Sequence, residues 1–167
     1  MKKLLLLLFV LVGITVNAQS VGGGVTLVDG STAIELNAEF AFVDGLITAS
    51  PSFDYFIGLN EGVSMFTFNL DGHYNLGDVD GLNYYPIVGI GYHSYSFTLS
   101  NEQQAVYENA GMEVPDLSSS SIGINIGGGA SYSLSESMKL LGELRYATQK
   151  GGGNLGIILG VLFSFGG

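Results

Sequence analysis

The chain has 167 residues, including 26 glycines and no cysteine, and its formal net charge is −10 at pH 7. This length is enough for one domain, and the lack of cysteine excludes a disulfide framework. The acidic balance argues against nucleic-acid binding, because that function needs clustered Lys and Arg. The glycines lie mostly within alternating segments and turns, so we do not expect low-complexity disorder.

Residues 1–18 have the pattern of a secretory signal peptide. Lys2 and Lys3 form a basic start, residues 4–12 are continuously apolar, and small residues precede an expected cut after Ala18. A retained membrane helix is the weaker alternative, because the apolar run is shorter than the ~20 residues that spanning requires. We therefore expect cleavage and a mature protein that is even more acidic.

The remainder, residues 19–167, alternates between apolar and polar residues and is predicted to form one domain. In residues 66–76 (FTFNLDGHYNL), apolar side chains occupy every second position except Gly72. Successive side chains of a strand point to opposite faces, so the segment has one apolar and one polar face. Eight such strands are predicted: residues 21–28, 33–43, 49–57, 64–76, 84–99, 121–132, 138–147 and 154–165.

The predicted connections are short turns, apart from one. Asp29-Gly30, Asp44-Gly45 and Asp80-Gly81 are typical hairpin turns. The segment 100–120 is the long connection, and a short helix is possible near residues 102–110. An even number of strands returns the C-terminus to the side of the N-terminus, so this fifth connection is expected outside the cell if the N-terminus enters from the periplasm.

The volume of the side chains predicts which face points outward. One face carries mostly large apolar residues, such as Ile34, Leu36, Phe40 and Phe42, and the other is small or polar. An eight-stranded barrel has an interior just wide enough for one set of side chains. The apolar face is therefore predicted to contact lipid, where only a closed barrel satisfies every backbone group. A soluble barrel or sandwich with the apolar face inward is the alternative.

Tyrosines near the predicted strand ends agree with the interpretation as a membrane barrel. Aromatic side chains form girdles at the two membrane interfaces of such barrels. We expect this position for five tyrosines: Tyr74, Tyr84, Tyr85, Tyr132 and Tyr146.

These features resemble the small eight-stranded outer-membrane β-barrel proteins of Gram-negative bacteria, and the ending Asn17-Ala18-Gln19 resembles Bacteroidetes signal peptides. The resemblance covers the mature chain and rests on strand number and alternation. It implies an all-β fold, namely an antiparallel up-and-down transmembrane barrel. It also implies that the protein lies in the bacterial cell outer membrane as a monomer surrounded by lipid. Members usually end on an aromatic residue, whereas here Phe165 precedes two glycines.

The inward positions carry charges that are predicted to form a polar and ionic network. Buried charges persist only when they are paired and hydrogen-bonded. From the order of residues along the strands, we expect Arg145 to pair with Glu35 or Glu39, and Lys139 to pair with Asp71. The predicted network consists of eight residues: Glu35, Glu39, Asp54, Asp71, His73, Lys139, Glu143 and Arg145.

Candidate chemistry is sparse. His73 and His93 could act as bases, but an interior structural role is the better interpretation of each. Two histidines without cysteine give no transition-metal constellation, and residues 78–81 (DVDG) lack the remaining ligands of a calcium loop. We therefore expect no cofactor, no metal and no catalytic residue.

The leading functional hypothesis is a structural or surface-interaction barrel. A narrow pore or a hydrophobic-ligand conduit for small solutes is the alternative, and a lipid-modifying enzyme, as found among similar small barrels, is the third. The 100–120 loop is the expected site of contact with an extracellular or envelope protein. Its candidate contact residues are Tyr107, Met112, Val114 and Leu117.

Overall fold

The computed structural model describes residues 20–115, 117–149 and 151–165, except for the side chain of Gln103. The predicted signal peptide, Lys150 and the two terminal glycines lie outside the described residues. The described elements are β1 (Ser20–Val28), β2 (Ser31–Phe42), β3 (Ile47–Ile57), β4 (Val63–Tyr74), β5 (Asp78–Val79), β6 (Leu82–Phe97), α1 (Asn101–Asn109), β7 (Leu117–Ser135), β8 (Met138–Gln149) and β9 (Gly152–Ser164).

Eight long strands close into an antiparallel up-and-down barrel, as predicted. Each pairs with its neighbour in the chain, β4 pairs with β6, and β1 pairs with β9 to close the sheet. All eight predicted strands are present, with ends that differ by up to four residues. None of the described helices is long and apolar enough to span a membrane.

The predicted acidic turn at residues 78–81 is a small additional hairpin. The two residues of β5 pair with the start of β6, and the turn between them places Asp80 at φ 54° and Gly81 at φ 81°. The backbone N–H of Gly81 donates to Asp78 Oδ1 at 2.8 Å. Both central residues have positive φ, which matches the twist of the flanking strands.

The large apolar side chains of the strands point mainly outward. Ile34, Leu36, Ile124 and Leu159 are each more than half exposed, and neighbouring positions on the same strands are buried. A continuous apolar outer surface of this size has no place in water but suits hydrocarbon. The outward assignment of the apolar face is therefore confirmed.

The interior is less uniformly polar than the sequence suggested. Leu141, Ile158 and Leu162 form an apolar cluster inside the barrel, with Ile158 and Leu162 fully buried. Tyr85 was expected in an aromatic girdle, but its exposure is only 4% and its side chain lies in the lumen. The alternation of β6 explains this position, because Tyr85 shares its face with Ile87, which is also buried.

A short helix, for which the sequence near residues 102–110 provides only a weak indication, is present as α1 in the long connection between β6 and β7. Its first turn contains Glu102, which suits the positive end of the helix dipole. The helix ends where Gly111 adopts φ 70° and the N–H of Met112 donates to the carbonyl of Tyr107.

Candidate functional site: the charged lumen

Arg145 is the centre of a network that crosses the barrel. It extends inward from β8 and is 6% exposed. Its Nη2 donates to Glu35 Oε2 on β2 at 3.0 Å, and its Nη1 donates to Asp71 Oδ2 on β4 at 2.6 Å. The planar guanidinium group suits two carboxylates at once, because its donors point in fixed directions. One side chain thereby joins three separate strands across the lumen.

The structure brings Arg145 to Glu35, as expected, but the expected pairing of Lys139 with Asp71 is wrong. Asp71 is held by Arg145 and by Asn125, whose Nδ2 donates to Asp71 Oδ1 at 2.8 Å. The prediction failed because barrel strands are tilted and staggered, so residue counts along strands do not give equal heights. Lys139 instead lines a cavity near the chain termini together with Glu39.

Asp54 is held by uncharged donors. Thr26 Oγ1 donates to its Oδ1 at 2.7 Å, and Thr67 Oγ1 and Asn69 Nδ2 donate to its Oδ2 at 2.8 and 2.9 Å. Asn69 also accepts from Asn125 at 3.0 Å, which links this group to Asp71. Three donors compensate much of the cost of burying one carboxylate.

A second cluster surrounds His73 and Tyr85 on the side of the lumen nearer the termini. Their rings stack with centroids 4.5 Å apart and planes at 12°. Tyr85 Oη donates to Glu143 Oε1 at 3.0 Å. His73 lies between two carboxylates, with Nδ1 3.9 Å from Glu39 Oε1 and Nε2 3.9 Å from Glu143 Oε1. The arrangement gives His73 an interior position packed by an aromatic ring.

Two glycines make room for these large interior side chains. A Cβ at Gly89 would overlap the Asp71 carboxylate, and a Cβ at Gly129 would come within 2.6 Å of the Tyr85 ring. Gly89 on β6 and Gly129 on β7 therefore leave space at the inner surface of the wall, and a side chain from a neighbouring strand packs into each space.

The charged network separates open spaces at the two ends of the lumen. A cavity of about 460 Å³ lies at the end where β1 begins and β9 ends, and its lining includes Ser20, Glu39, Lys139 and Ser164. A depression of about 360 Å³ near Ser121 and Asn154 lies at the end with the long loop. Between them is a cavity of only about 40 Å³, bounded partly by Asp54 and Arg145. The middle of the barrel is thus filled by side chains.

The other candidate residues are not part of this network. His93 lines the small central cavity, and its Nε2 has no hydrogen-bond partner among the described residues. The described residues contain no group of three or more His, Cys, Asp or Glu side chains placed to hold a metal ion.

The long loop presents apolar side chains to solvent. Met112, Val114 and Leu117 are 40–55% exposed, and Tyr107 is half-buried on α1. Val106 on α1 is 65% exposed and was not among the predicted contact residues. The sequence carries no clear signal for it, because Ala105, Val106 and Tyr107 are consecutive apolar residues that face different sides of the helix.

Sequence reasoning missed most of the uncharged members of the network. Thr26, Thr67, Asn69, Tyr85 and Asn125 all hydrogen-bond to buried carboxylates. Each lies an even number of residues from an interior residue of its own strand, so the two-residue period of a β-strand could have placed them inside. Which carboxylate each one binds depends on contacts across the barrel.

Comparison with solved structures identifies the fold. The N-terminal β-barrel domain of Pseudomonas aeruginosa OprF matches with a TM-score of 0.69 and 17% identity over 89% of this chain and 98% of that one. Neisserial surface protein A matches with a TM-score of 0.62 and 12% identity, over 87% of this chain and 94% of that one. Ail, the attachment invasion locus protein of Yersinia pestis, matches with a TM-score of 0.57 and 13% identity, also over 87% of this chain and 94% of that one. No family model and no characterised sequence matches the chain.

These similarities, together with barrel closure and the apolar outer face, define the class. The protein has the fold of the small eight-stranded β-barrels of bacterial outer membranes. The predicted fold class is confirmed, and the predicted outer-membrane location is supported at the level of the fold. At identities of 12–17% the similarity establishes the fold only, and the role has to be inferred from the chain's own residues.

Proposed function

We propose that the protein is a monomeric outer-membrane barrel with a structural or surface-interaction role and a lumen closed to solutes. The observation that carries this proposal is the pair of contacts that Arg145 makes with Glu35 and Asp71 across the lumen. A barrel of eight strands has an interior that side chains can fill. Here they fill its middle with paired charges, which would be costly to separate inside a membrane.

Conductance across a planar lipid bilayer tests this proposal. The purified barrel should give no steady open current, whereas Arg145→Ala removes the side chain that joins the two opposing carboxylates and should raise the frequency of openings. Lys139→Ala is a matched control, because Lys139 lies inward on the same strand but outside the closed region. A steady current from the unmodified protein would contradict the proposal.

The narrow pore is the second candidate, and the spaces at both ends of the lumen favour it. Solute could enter the cavity of about 460 Å³ from one side and the depression of about 360 Å³ from the other. Only the central side chains would then have to move. The same conductance measurement distinguishes the two candidates, because a pore should show openings without any substitution.

We infer no catalytic role. His73 packs on the Tyr85 ring between Glu39 and Glu143, an arrangement suited to filling the interior. If the protein were a lipid-modifying enzyme, as the third hypothesis holds, the mass spectrum of lipid A would differ between cells with and without the protein. We expect identical spectra.

The surface role is proposed for the connection between β6 and β7. It exposes Val106, Met112 and Val114 beside acidic side chains, and residues 98–116 contain no Lys, Arg or His. Ail has been solved in complex with the heparin analogue sucrose octasulfate. The charge of the loop in this chain favours a partner with a cationic and partly apolar surface instead.

The orientation that this role requires places the long loop outside the cell. Protease added to intact cells should then cut within residues 98–116 and spare residues 75–81, which lie at the opposite end of the barrel. Cleavage confined to residues 75–81 would mean that the barrel has the inverted orientation.

The proposal includes secretion by residues 1–18 and a mature domain from residue 19. The basic start, the apolar run and the small residues before Ala18 support cleavage there, and the ending Asn17-Ala18-Gln19 supports a Bacteroidetes-type source. Mass spectrometry of the protein from outer membranes should give an N-terminus at Gln19.

A further inference from the structure

The ladder between β2 and β3 is interrupted partway along the two strands. Asn37 pairs with Ser52, and Phe40 pairs with Ala49, but the two positions between them have no ladder partners across this seam. Pro51 lies at the break. It has no N–H to donate to the ladder, and within a sheet proline is normally confined to edges and bulges. A closed barrel has no edge, so the proline here interrupts the pairing between two neighbouring strands of the wall, while Pro51 stays paired with Leu70 on β4.

A groove of about 270 Å³ follows this interruption on the outer face. Its floor contains Ala38 and Pro51, and Ala38 is only 6% exposed although it points away from the lumen. Val21, Leu36, Phe53 and Phe68 are the remaining apolar lining residues. The lumen-facing residues Asn37, Ser52 and Asn69 also contribute to its lining.

Aromatic packing forms one side of the groove. The rings of Phe53 and Phe68 have centroids 4.8 Å apart, and Phe66 contacts both at 6.0 Å. Paired aromatic rings at such distances stabilise one another beyond the apolar area that they bury. One side of the groove is therefore formed by side chains that are already packed against one another.

We propose that this groove binds one acyl chain of a phospholipid from the periplasmic leaflet. The groove is continuous with the lipid-facing surface of the barrel, so a membrane lipid is the occupant available to it. Its volume lies just below the ~300–1,000 Å³ of typical small-molecule pockets, which suits a segment of one chain better than a whole lipid. Val21 places the groove near the end with both termini, which the proposed orientation puts at the periplasmic leaflet.

The first experiment measures lipid retention by native mass spectrometry. The unmodified barrel, extracted in mild detergent and mixed with phosphatidylethanolamine, should retain one phospholipid. Ala38→Phe fills the floor and should weaken retention at least tenfold. Ala49→Phe is the matched control, because Ala49 is a small outward-facing residue of the adjacent strand β3 that does not line the groove. Equal retention by the two variants, or a preference for lipid A over phospholipid, would overturn the proposal.

The second experiment leaves the groove intact, in case Ala38→Phe does not fold. The chain contains no tryptophan, so a single one can report on nearby lipid. Leu70→Trp places it beside Pro51, which is its ladder partner. Ile124→Trp is the control, because Ile124 faces outward with nearly the same exposure, 54% against 53% for Leu70, and lies two strands away from it. Brominated phosphatidylethanolamine should quench the first variant at a several-fold lower mole fraction than the second. Coincident quenching curves would mean that the groove holds no lipid beyond the bulk. The orientation itself is tested separately by the protease experiment, so its failure can be told from failure of the groove to bind.

Discussion

Two cations of β8, Arg145 and Lys139, point into the same lumen and have different surroundings. Arg145 is 6% exposed and contacts two carboxylates. Lys139 is half-buried and lines the cavity of about 460 Å³, and no ion pair within 4.0 Å involves it among the described residues. Glu39 lines the same cavity, so a carboxylate lies near Lys139 without forming an ion pair with it within that distance.

The difference shows that residue type and inward position do not decide whether a charge is paired. In the middle of the barrel, one guanidinium group contacts carboxylates from two other strands, and the cavity of about 40 Å³ that remains leaves little space for water. At the end where β1 begins and β9 ends, the lumen contains the cavity of about 460 Å³, so Lys139 can be hydrated instead. The interaction energy of a charge pair in water is small, whereas in a dry interior it is large.

The largest effect is therefore expected at Arg145. Arg145→Ala leaves Glu35 and Asp71 buried without their cation, which should lower the free energy of unfolding by ~3–5 kcal/mol. Urea unfolding in lipid vesicles measures this value. Lys150→Ala, in the connection between β8 and β9, provides a comparison and should leave the midpoint near that of the unmodified protein. Equal midpoints for the two variants would mean that the network contributes little to stability.

The sequence was sufficient for the barrel but not for the contacts inside it. Alternation is a local property, so residues such as Leu155 and Asn125 could be assigned to a face from their own strand alone. The partner of Asp71 depends on strand tilt and stagger, which are properties of the closed barrel. The seam at Pro51 could have been suspected from the sequence, since proline is unexpected within a membrane strand. The resulting groove required the neighbouring strands.

An intermediate effect is expected at Tyr85, which belongs to the cluster beside the central network. Tyr85→Phe keeps the ring that stacks on His73 and removes only the hydroxyl that donates to Glu143. Loss of one buried hydrogen bond to a carboxylate should cost ~1–3 kcal/mol. The same urea titration measures it. A cost as large as that of Arg145→Ala would show that the two clusters act as one unit.

The smallest effect is expected at Lys139. Lys139→Ala removes a charge that already faces an open cavity, so no carboxylate in the described part of the chain loses an ion pair within 4.0 Å. Charge pairs in contact with water contribute ~0–1 kcal/mol, and Lys139 lacks even the close contact that such pairs have. The unfolding midpoint should therefore shift by less than for Tyr85→Phe, and the small difference should shrink further when salt is added, because exposed charges are screened. A loss of stability similar to that of Arg145→Ala, unchanged by salt, would mean that Lys139 is paired in the membrane and that the two ends of β8 do not differ as their surroundings indicate.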